Sequence, residues 1–359
     1  MRPSRLMLGV ALAAALFTTA APVAQQGSVS AGFKEDYADV NGVRLHYVTS
    51  GQNGQLMLFL HGYFNMSYYW EDQLAEFGKD HLAVAPDMRG YNLSSRPTEL
   101  EQYKLKYLVE DVHQLAQKLN GGKKFILVGH DWGGIVAWVY AMYYPETLDK
   151  LIITNAPHPQ VFERELNESP WQRFSSNYML RFNGYAHADE ATQPDTMPRD
   201  AAIKRMETGF VADQVKSGRY SEADRQKWID ALSTPGAQGA GRNYYTANNL
   251  NPPFNDTHPA SEVKASWSTK AVTQGAKSLI LKMPVLMVWG MKDGALPPGN
   301  VTGLDKYITN LTIKLYPDEG HNLSQIRYKE VNRDIREFIE GKNTSTSKEI
   351  VFREAPATR

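Results

Sequence analysis

The chain contains no cysteine. It therefore cannot form disulfides, hold a metal through thiolates or carry a lipid on a cysteine side chain. It also has no excess of charge of one sign, because 39 Lys and Arg residues balance 39 Asp and Glu residues. This balance argues against nucleic acid, or any other polyanion that net charge would attract, as a partner.

A hydrophobic run long enough to cross a membrane is also missing. The most apolar segment, residues 6–17, is shorter than the roughly 20 residues that span a bilayer. Arg2 and Arg5 precede this segment and small alanines follow it, an order typical of a secretory signal peptide. We predict that residues 1–24 are a signal peptide that directs export to the periplasm or the medium, with no stable membrane insertion. An uncleaved anchor is the alternative.

Short apolar runs and helical segments alternate along much of the chain. The runs at residues 56–60, 82–86 and 125–128 are apolar throughout, as strands covered on both faces would be. The same pattern resumes with runs at residues 285–289 and 311–316. Such alternation predicts an α/β fold with a mostly parallel sheet flanked by helices.

This alternation stops in the middle of the chain. Between residues 157 and 278 there is no clear buried strand, and we predict an inserted helical cap there, called the lid below. The α/β core is predicted to comprise residues 25–156 and 279–340. Residues 341–359, rich in Ser and Thr, are predicted to form a flexible tail.

The strand predicted at residues 125–128 leads into a glycine-rich turn and then an apolar helix. Asp131 stands at the centre of this turn, between Gly129 and Gly133. The spacing is that of the nucleophile elbow, G-x-Nuc-x-G, in which an esterase would carry serine. A carboxylate in this position attacks carbon directly and becomes a covalent ester. Asp131 is therefore the predicted nucleophile.

Hydrolysis of such an ester needs a base that activates water. His321 follows the last predicted strand, and the pKa of about 6.5 of an unperturbed histidine suits the task. Asp293, after the preceding strand, is the predicted carboxylate that orients His321. The carboxyl ends of the strands share one crevice, so these residues are expected to meet there. Asn155 holds another position at which an acid could stand, but an amide cannot carry the charge.

The oxyanion formed during ester hydrolysis needs backbone donors. The predicted donors are the N–H groups of Trp132, directly after the nucleophile, and of Tyr63, directly after a His-Gly pair. His61 is interpreted as structural, and His46 as a residue of an edge strand.

Several motifs together resemble the epoxide hydrolases of the α/β-hydrolase superfamily, over about residues 33–340. The motifs are His-Gly-Tyr-Phe at 61–64, Asp-Met-Arg-Gly-Tyr at 87–91, Gly-His-Asp-Trp-Gly-Gly at 129–134, Asn-Ala-Pro-His-Pro at 155–159, and the late Asp293 and His321. The resemblance implies an epoxide as the small-molecule substrate, an apolar one by expectation, a vicinal diol as the product and no cofactor or metal. The elbow is shared with haloalkane dehalogenases, so it indicates the nucleophile and not the substrate.

In the resembled family two lid side chains, typically tyrosines, hold the epoxide oxygen. Tyr245 matches the second of these positions. The first position aligns with Asn177, which can donate a hydrogen bond but not a proton. Its neighbour Tyr178 would take this position after a shift of one residue, and the sequence leaves both alternatives open. A second departure is Phe64, where the family usually has proline; we expect a trans peptide and a turn of different shape.

Two other functions fit parts of this pattern. A haloalkane dehalogenase would use the same nucleophile and base, with the indole N–H of Trp132 and of a lid residue such as Trp171 as halide donors. A ligand-binding protein could keep the scaffold without the chemistry. A serine esterase is excluded, because Asp131 occupies the position of the serine.

Overall fold

The computed structural model describes residues 32–183, 195–253 and 267–342. The predicted signal peptide, nearly all of the predicted tail and two stretches of the predicted lid lie outside these residues. Within the described ranges, no helix is long and apolar enough to cross a membrane.

Eight strands form one sheet. They are β1 (Lys34–Val40), β2 (Val43–Ser50), β3 (Leu56–Leu60), β4 (Leu82–Pro86), β5 (Phe125–His130), β6 (Leu148–Thr154), β7 (Val285–Gly290) and β8 (Leu311–Tyr316). Their spatial order is β1-β2-β4-β3-β5-β6-β7-β8. β2 is antiparallel to both of its neighbours, and all other pairs are parallel. The predicted, mainly parallel sheet is therefore confirmed.

Helices surround this sheet. They are α1 (Glu71–Phe77), α2 (Leu105–Asn120), α3 (Trp132–Tyr143), α4 (Pro159–Glu168), α5 (Pro170–Ser175), α6 (Tyr178–Phe182), α7 (Arg199–Arg205), α8 (Gly209–Lys216), α9 (Glu222–Ser233), α10 (Ala237–Ala247), α11 (Thr269–Val272), α12 (Leu323–Ile326) and α13 (Tyr328–Ile339). Alternate residues of β5 face opposite layers, as the period of a strand requires. Leu127 packs in the cluster that contains α2 and α3, and Val128 packs in the cluster that contains α1 and α13.

The lid is inserted between β6 and β7, where α4 to α11 follow one another in the described part of the chain without an intervening strand. α10 holds it against the core. The hydroxyl of Tyr244 donates to the carbonyl of Arg89 over 2.7 Å, and the N–H of Leu105 donates to Asn248 Oδ1 over 2.9 Å. The predicted helical cap is confirmed, whereas its boundaries at residues 157 and 278 stay predictions.

One detail of the sheet was predicted wrongly. β2 is not an edge strand, because β1 covers its outer side. His46 on β2 is consequently buried, and its Nδ1 lies 2.6 Å from Asp87 Oδ2. The β1–β2 hairpin has an ordinary short turn at residues 41–42, and nothing in the pattern of β2 alone shows which of the two strands lies outside.

Candidate active site

Asp131 occupies the sharp turn between β5 and α3. Its φ is +52° and its ψ is −123°, a conformation that side-chain-bearing residues rarely adopt. The flanking glycines permit the turn, since a Cβ on Gly129 would lie 2.6 Å from the carbonyl oxygen of Gly133. A Cβ on Gly133 would collide with the backbone of Leu60 on the adjacent strand. The elbow geometry predicted from the spacing of the glycines is therefore present.

The turn after β3 holds the carboxylate of Asp131. The N–H of Tyr63 donates to Asp131 Oδ1 over 2.7 Å. Gly62 allows this approach, because a Cβ there would lie 2.5 Å from the same oxygen. Trp132 is the first residue of α3, so its N–H belongs to the helical turn whose donors have no partner inside the helix. The structure thus places both predicted oxyanion donors beside Asp131.

His321 and Asp293 meet Asp131 at the carboxyl ends of the strands. His321 Nε2 lies 3.6 Å from Asp131 Oδ2, and His321 Nδ1 lies 2.7 Å from Asp293 Oδ2. The other oxygen of Asp293 accepts from the N–H groups of Ala295 at 2.9 Å and Leu296 at 3.0 Å. With both oxygens engaged, Asp293 can hold only one orientation of the imidazole.

Asn155 belongs to the same network, a role that the sequence did not show. Its Nδ2 donates to Asp293 Oδ2 over 2.7 Å, and its Oδ1 accepts from the N–H of Gly290 over 2.9 Å. The oxygen that faces His321 therefore has two donors. The only signal in the sequence was that Asn155 follows β6, the strand beside β7.

The pKa values follow from this arrangement. Burial alone would lower the pKa of His321, but the carboxylates of Asp293 and Asp131 outweigh it and hold that pKa well above its usual range. Burial would raise the pKa of Asp131 and of Asp293, yet His321 outweighs it for both, and their pKa values lie below the ordinary one. The resting site is therefore an imidazolium between two carboxylates.

Two further histidines lie near the site with structural contacts. His61 Nδ1 donates to the carbonyl of Gly62 over 2.9 Å, and Nε2 accepts from the N–H of Met88 over 3.0 Å, so both ring nitrogens are engaged by backbone groups. His130 Nε2 donates to the carbonyl of His321 over 2.9 Å, and its ring stacks on Tyr69 with centroids 4.6 Å apart. Burial lowers the pKa of His130 to about 3, so it supports His321 as a neutral ring.

A cavity of about 470 Å³ opens over the carboxylate between core and lid. Asp131 and His321 line it from the core, and Tyr178 and Tyr245 line it from the lid. The rings of the two tyrosines meet edge to face with centroids 6.0 Å apart. Burial raises the pKa of both phenols, so both are protonated donors at neutral pH.

Asn177 and Tyr178, the two alternatives for the first lid position, differ in where they lie. Asn177 immediately precedes α6, its side chain is exposed, and it is not among the described residues that line the cavity. Tyr178 is the residue that faces Tyr245. The positions favour Tyr178 over Asn177 as the partner of Tyr245, and the catalytic role of either side chain stays a prediction.

The indoles suggested as halide donors are those of Trp132 and Trp171. Neither Trp132 nor Trp171 is among the described residues that line the cavity. Trp132 packs its ring against Tyr245, with centroids 5.0 Å apart. Trp171 lies on α5 with 37% of its surface exposed. Among the described residues, no three His, Cys, Asp or Glu side chains are arranged to hold a metal ion.

Known proteins resemble this chain in sequence and in architecture. A family model described as the alpha/beta hydrolase fold matches residues 55–324. The protein named epoxide hydrolase 1 of Caenorhabditis elegans is 32% identical over 319 residues, which cover 88% of this chain and 72% of that protein. Epoxide hydrolase 3 of Xenopus tropicalis is 31% identical, and the match covers 83% of this chain and 75% of that protein. The crystal structure of a Bacillus megaterium epoxide hydrolase in complex with an inhibitor has 32% identity and a TM-score of 0.69, and the match covers 85% of this chain and all of that one.

Proposed function

Because the chain belongs to the epoxide hydrolases of the α/β-hydrolase superfamily, we propose that it converts an epoxide to a vicinal diol through a covalent ester on Asp131. One observation carries the proposal. Asp131 lines the cavity with its Oδ1 bound by the N–H of Tyr63 and with His321 Nε2 3.6 Å from its Oδ2, and Tyr178 and Tyr245 line the same cavity from the lid. This arrangement provides a nucleophile, a base and an acid around one space.

In the first step Asp131 Oδ2 attacks a ring carbon and the carbon–oxygen bond of the epoxide breaks. The electron pair stays on the epoxide oxygen, which takes a proton from Tyr178 or Tyr245. Their raised pKa values keep these phenols protonated until that moment. The result is a hydroxyalkyl ester of Asp131. Its carbonyl oxygen is Oδ1, which already accepts a hydrogen bond from the N–H of Tyr63.

The second step depends on the change of charge that the first one causes. Once Asp131 is an ester, His321 has lost one of its two carboxylate neighbours and its pKa falls. It gives its proton to the phenolate, and as a neutral base it takes a proton from water, which attacks the ester carbonyl. The N–H groups of Tyr63 and Trp132 stabilise the oxyanion. When the ester bond breaks, the departing oxygen of the diol takes the proton from His321. Asp131 is left as a carboxylic acid, which then reprotonates the imidazole.

The test is to stop the reaction between the two steps. A His321→Gln variant mixed briefly with a panel of epoxides should gain the mass of one epoxide, because the ester forms and cannot be hydrolysed. The adduct should map to the peptide that contains Asp131. The double variant Asp131→Asn, His321→Gln is the matched control and should remain unmodified.

The same experiment separates the other interpretations. A dehalogenase would form the ester from haloalkanes and release halide, while epoxides would leave the protein unmodified. A protein that only binds its ligand would form no ester with either class. An adduct on a residue other than Asp131 would contradict the proposed nucleophile.

We also propose that the enzyme is exported, on the basis of the basic residues Arg2 and Arg5 before the apolar segment at 6–17. Sequencing the N-terminus of the protein recovered from the medium or the periplasm tests this. A cytosolic product that keeps residues 1–24 would contradict it.

A further inference from the structure

Arg219 connects the lid to the part of the core that carries the proposed base. It lies in the turn between α8 and α9, and its side chain is 15% exposed. Its guanidinium forms an ion pair with Asp72 of α1, and its Nη1 donates to the carbonyl of Gln325 in α12 over 2.8 Å. The central carbon of the same guanidinium lies 3.8 Å from the ring centroid of Tyr328, the first residue of α13. One lid side chain thus binds three core helices.

The second of these helices, α12, begins two residues after His321. It has four residues, so it has little stability of its own and depends on its surroundings. Two hydrogen bonds from the core hold it: Gln73 Nε2 to the carbonyl of Ser324 over 3.1 Å, and Gln325 Nε2 to the carbonyl of Tyr69 over 3.3 Å. Arg219 adds a bond from the lid, to a carbonyl of the last helical turn, where the helix itself supplies no donor. The course of the chain at His321 depends on these bonds.

The segment that holds Arg219 also forms a wall of the cavity. Val211 of α8 and Trp228 and Leu232 of α9 line the cavity, and Arg219 lies between them in the chain. A movement of α8 and α9 away from the core would therefore open the cavity and withdraw the guanidinium from α12 at the same time. Closure of the lid and support of α12 are thus mechanically linked.

We infer that Arg219 is a positioning residue for His321 and that it makes activation of the hydrolytic water depend on closure of the lid. The inference rests on the proposed epoxide hydrolysis and adds a link between its second step and the lid. Proton transfer needs the imidazole within hydrogen-bond reach of the water, and a misplacement of about 1 Å can lower a rate by about 10²-fold. The attack of Asp131 on the epoxide does not use His321 as a base, so Arg219 acts on ester hydrolysis.

The test is to measure the two steps separately in an Arg219→Gln variant. The probe is the epoxide of the panel that labels His321→Gln fastest, and rapid quenching with mass spectrometry follows the ester. Ester formation should keep the wild-type rate, whereas ester hydrolysis should slow by about 10- to 10²-fold, so that the ester accumulates. Arg219→Lys keeps the charge opposite Asp72 but lacks the planar set of donors, and it should recover part of the hydrolysis rate.

Hydrogen exchange of the substrate-free protein reports on α12 directly. The N–H groups of residues 325–327 donate to carbonyls of residues 322 and 323. Their exchange should be faster in Arg219→Gln than in the wild type, because α12 has lost its bond to the lid. The amides of β5, in the interior of the sheet, should exchange as in the wild type, which shows that the variant is folded.

Arg225→Gln is the matched control. Arg225 is another arginine of the lid, and its ion pair with Glu222 stays within α9. This variant loses the same charge from the same part of the lid. It should hydrolyse the ester at the wild-type rate and leave the exchange of α12 unchanged.

Ester hydrolysis at the wild-type rate in Arg219→Gln, or unchanged exchange in α12, would overturn the inference and leave epoxide hydrolysis standing. An equal slowing of both steps would also overturn it, because a general loosening of the lid would then explain the loss. The same holds for an equal effect in Arg225→Gln, which would be one of charge alone. If no epoxide labels His321→Gln, the proposed function fails, and the inference fails with it.

Discussion

The core and the lid hold their parts of the site in different ways. In the core, hydrogen bonds of 2.7 to 3.0 Å fix each group: Asp131 through Tyr63, His321 through Asp293, and Asp293 through two backbone N–H groups. In the lid, Tyr245 is surrounded by aromatic rings, with those of Trp132 and Phe182 both 5.0 Å away between centroids. Hydrogen bonds fix direction, whereas ring packing fixes position more loosely. Substitutions of site residues in the core should therefore lower the rate by large factors, and those in the lid by smaller ones.

The most severe test of the core is Asp131→Asn. An amide cannot form the ester, so we expect kcat to fall by about 10⁶-fold, as for the loss of a nucleophile elsewhere. Steady-state diol formation measures the fall, and mass spectrometry of the Asp131 peptide shows whether the amide has reverted by deamidation. An unreverted variant that approaches the wild-type rate would show that the hydrogen-bonded core is not where the chemistry occurs.

Asp293→Asn tests the second layer of hydrogen bonds. His321 would lose its orienting charge, and we expect kcat to fall by about 10⁴-fold, by analogy with other catalytic triads. Because ester hydrolysis needs the base and ester formation does not, the ester on Asp131 should accumulate, which rapid quenching and mass spectrometry can detect. Slow turnover without accumulated ester would place the function of Asp293 in the first step.

Lid and core can be compared directly by removing the phenols. Tyr178→Phe and Tyr245→Phe should each lower the rate of epoxide opening by about 10²-fold, a value at the low end for general acids. Either phenol can partly replace the other, so the double variant should lose considerably more than either single one. Single-turnover rates of ester formation measure this.

Asn177→Ala is the control for the two phenols, since Asn177 is the exposed neighbour of Tyr178. It should change the rate by less than about twofold, as exposed positions away from a site do. A large loss in Asn177→Ala, with none in Tyr178→Phe, would reverse the assignment within α6.

The sequence predicted the core far better than the lid, for a physical reason. In a parallel sheet the residues that follow the strands converge at one edge, so Asp131, Asp293 and His321 could be placed together from the order of strands alone. No such rule links α6 to α10 in the lid. Whether Asn177 or Tyr178 faces Tyr245 depends on the rotation of a helix of five residues, which only tertiary packing determines. The role of Asn155 was missed because it arises from contacts between distant segments.

The last expected effect is one on stability and not on rate, at Glu71, a residue of the core beside the lid. This side chain is 3% exposed, and burial raises its pKa from 4.5 to about 8; Asp224 of the lid adds to the rise, while Lys227 and Arg219 oppose it. The folded state therefore binds a proton that the unfolded state releases, and stability should fall as pH rises from 4.5 to 8, then level off.

Glu71→Gln should remove this dependence on pH. Relative to the wild type it should gain stability on the order of 4 kcal/mol at pH 8 and almost none at pH 4.5. Thermal or urea unfolding across this range measures the difference. The exposed Glu222→Gln on α9 is the control and should keep the wild-type slope. If Glu71→Gln also keeps the wild-type slope of stability against pH, Glu71 is not buried as a protonated carboxyl.

The covalent ester on Asp131 is tested most directly by following oxygen through a single turnover. Enzyme in excess over epoxide is allowed to react once in water enriched in the heavy oxygen isotope. If the ester forms, the new oxygen of the diol comes from the carboxylate, so the diol should be unlabelled and the label should appear in the peptide that contains Asp131. A diol that carries the label after one turnover, with Asp131 unlabelled, would mean that water attacks the epoxide directly and would contradict the mechanism.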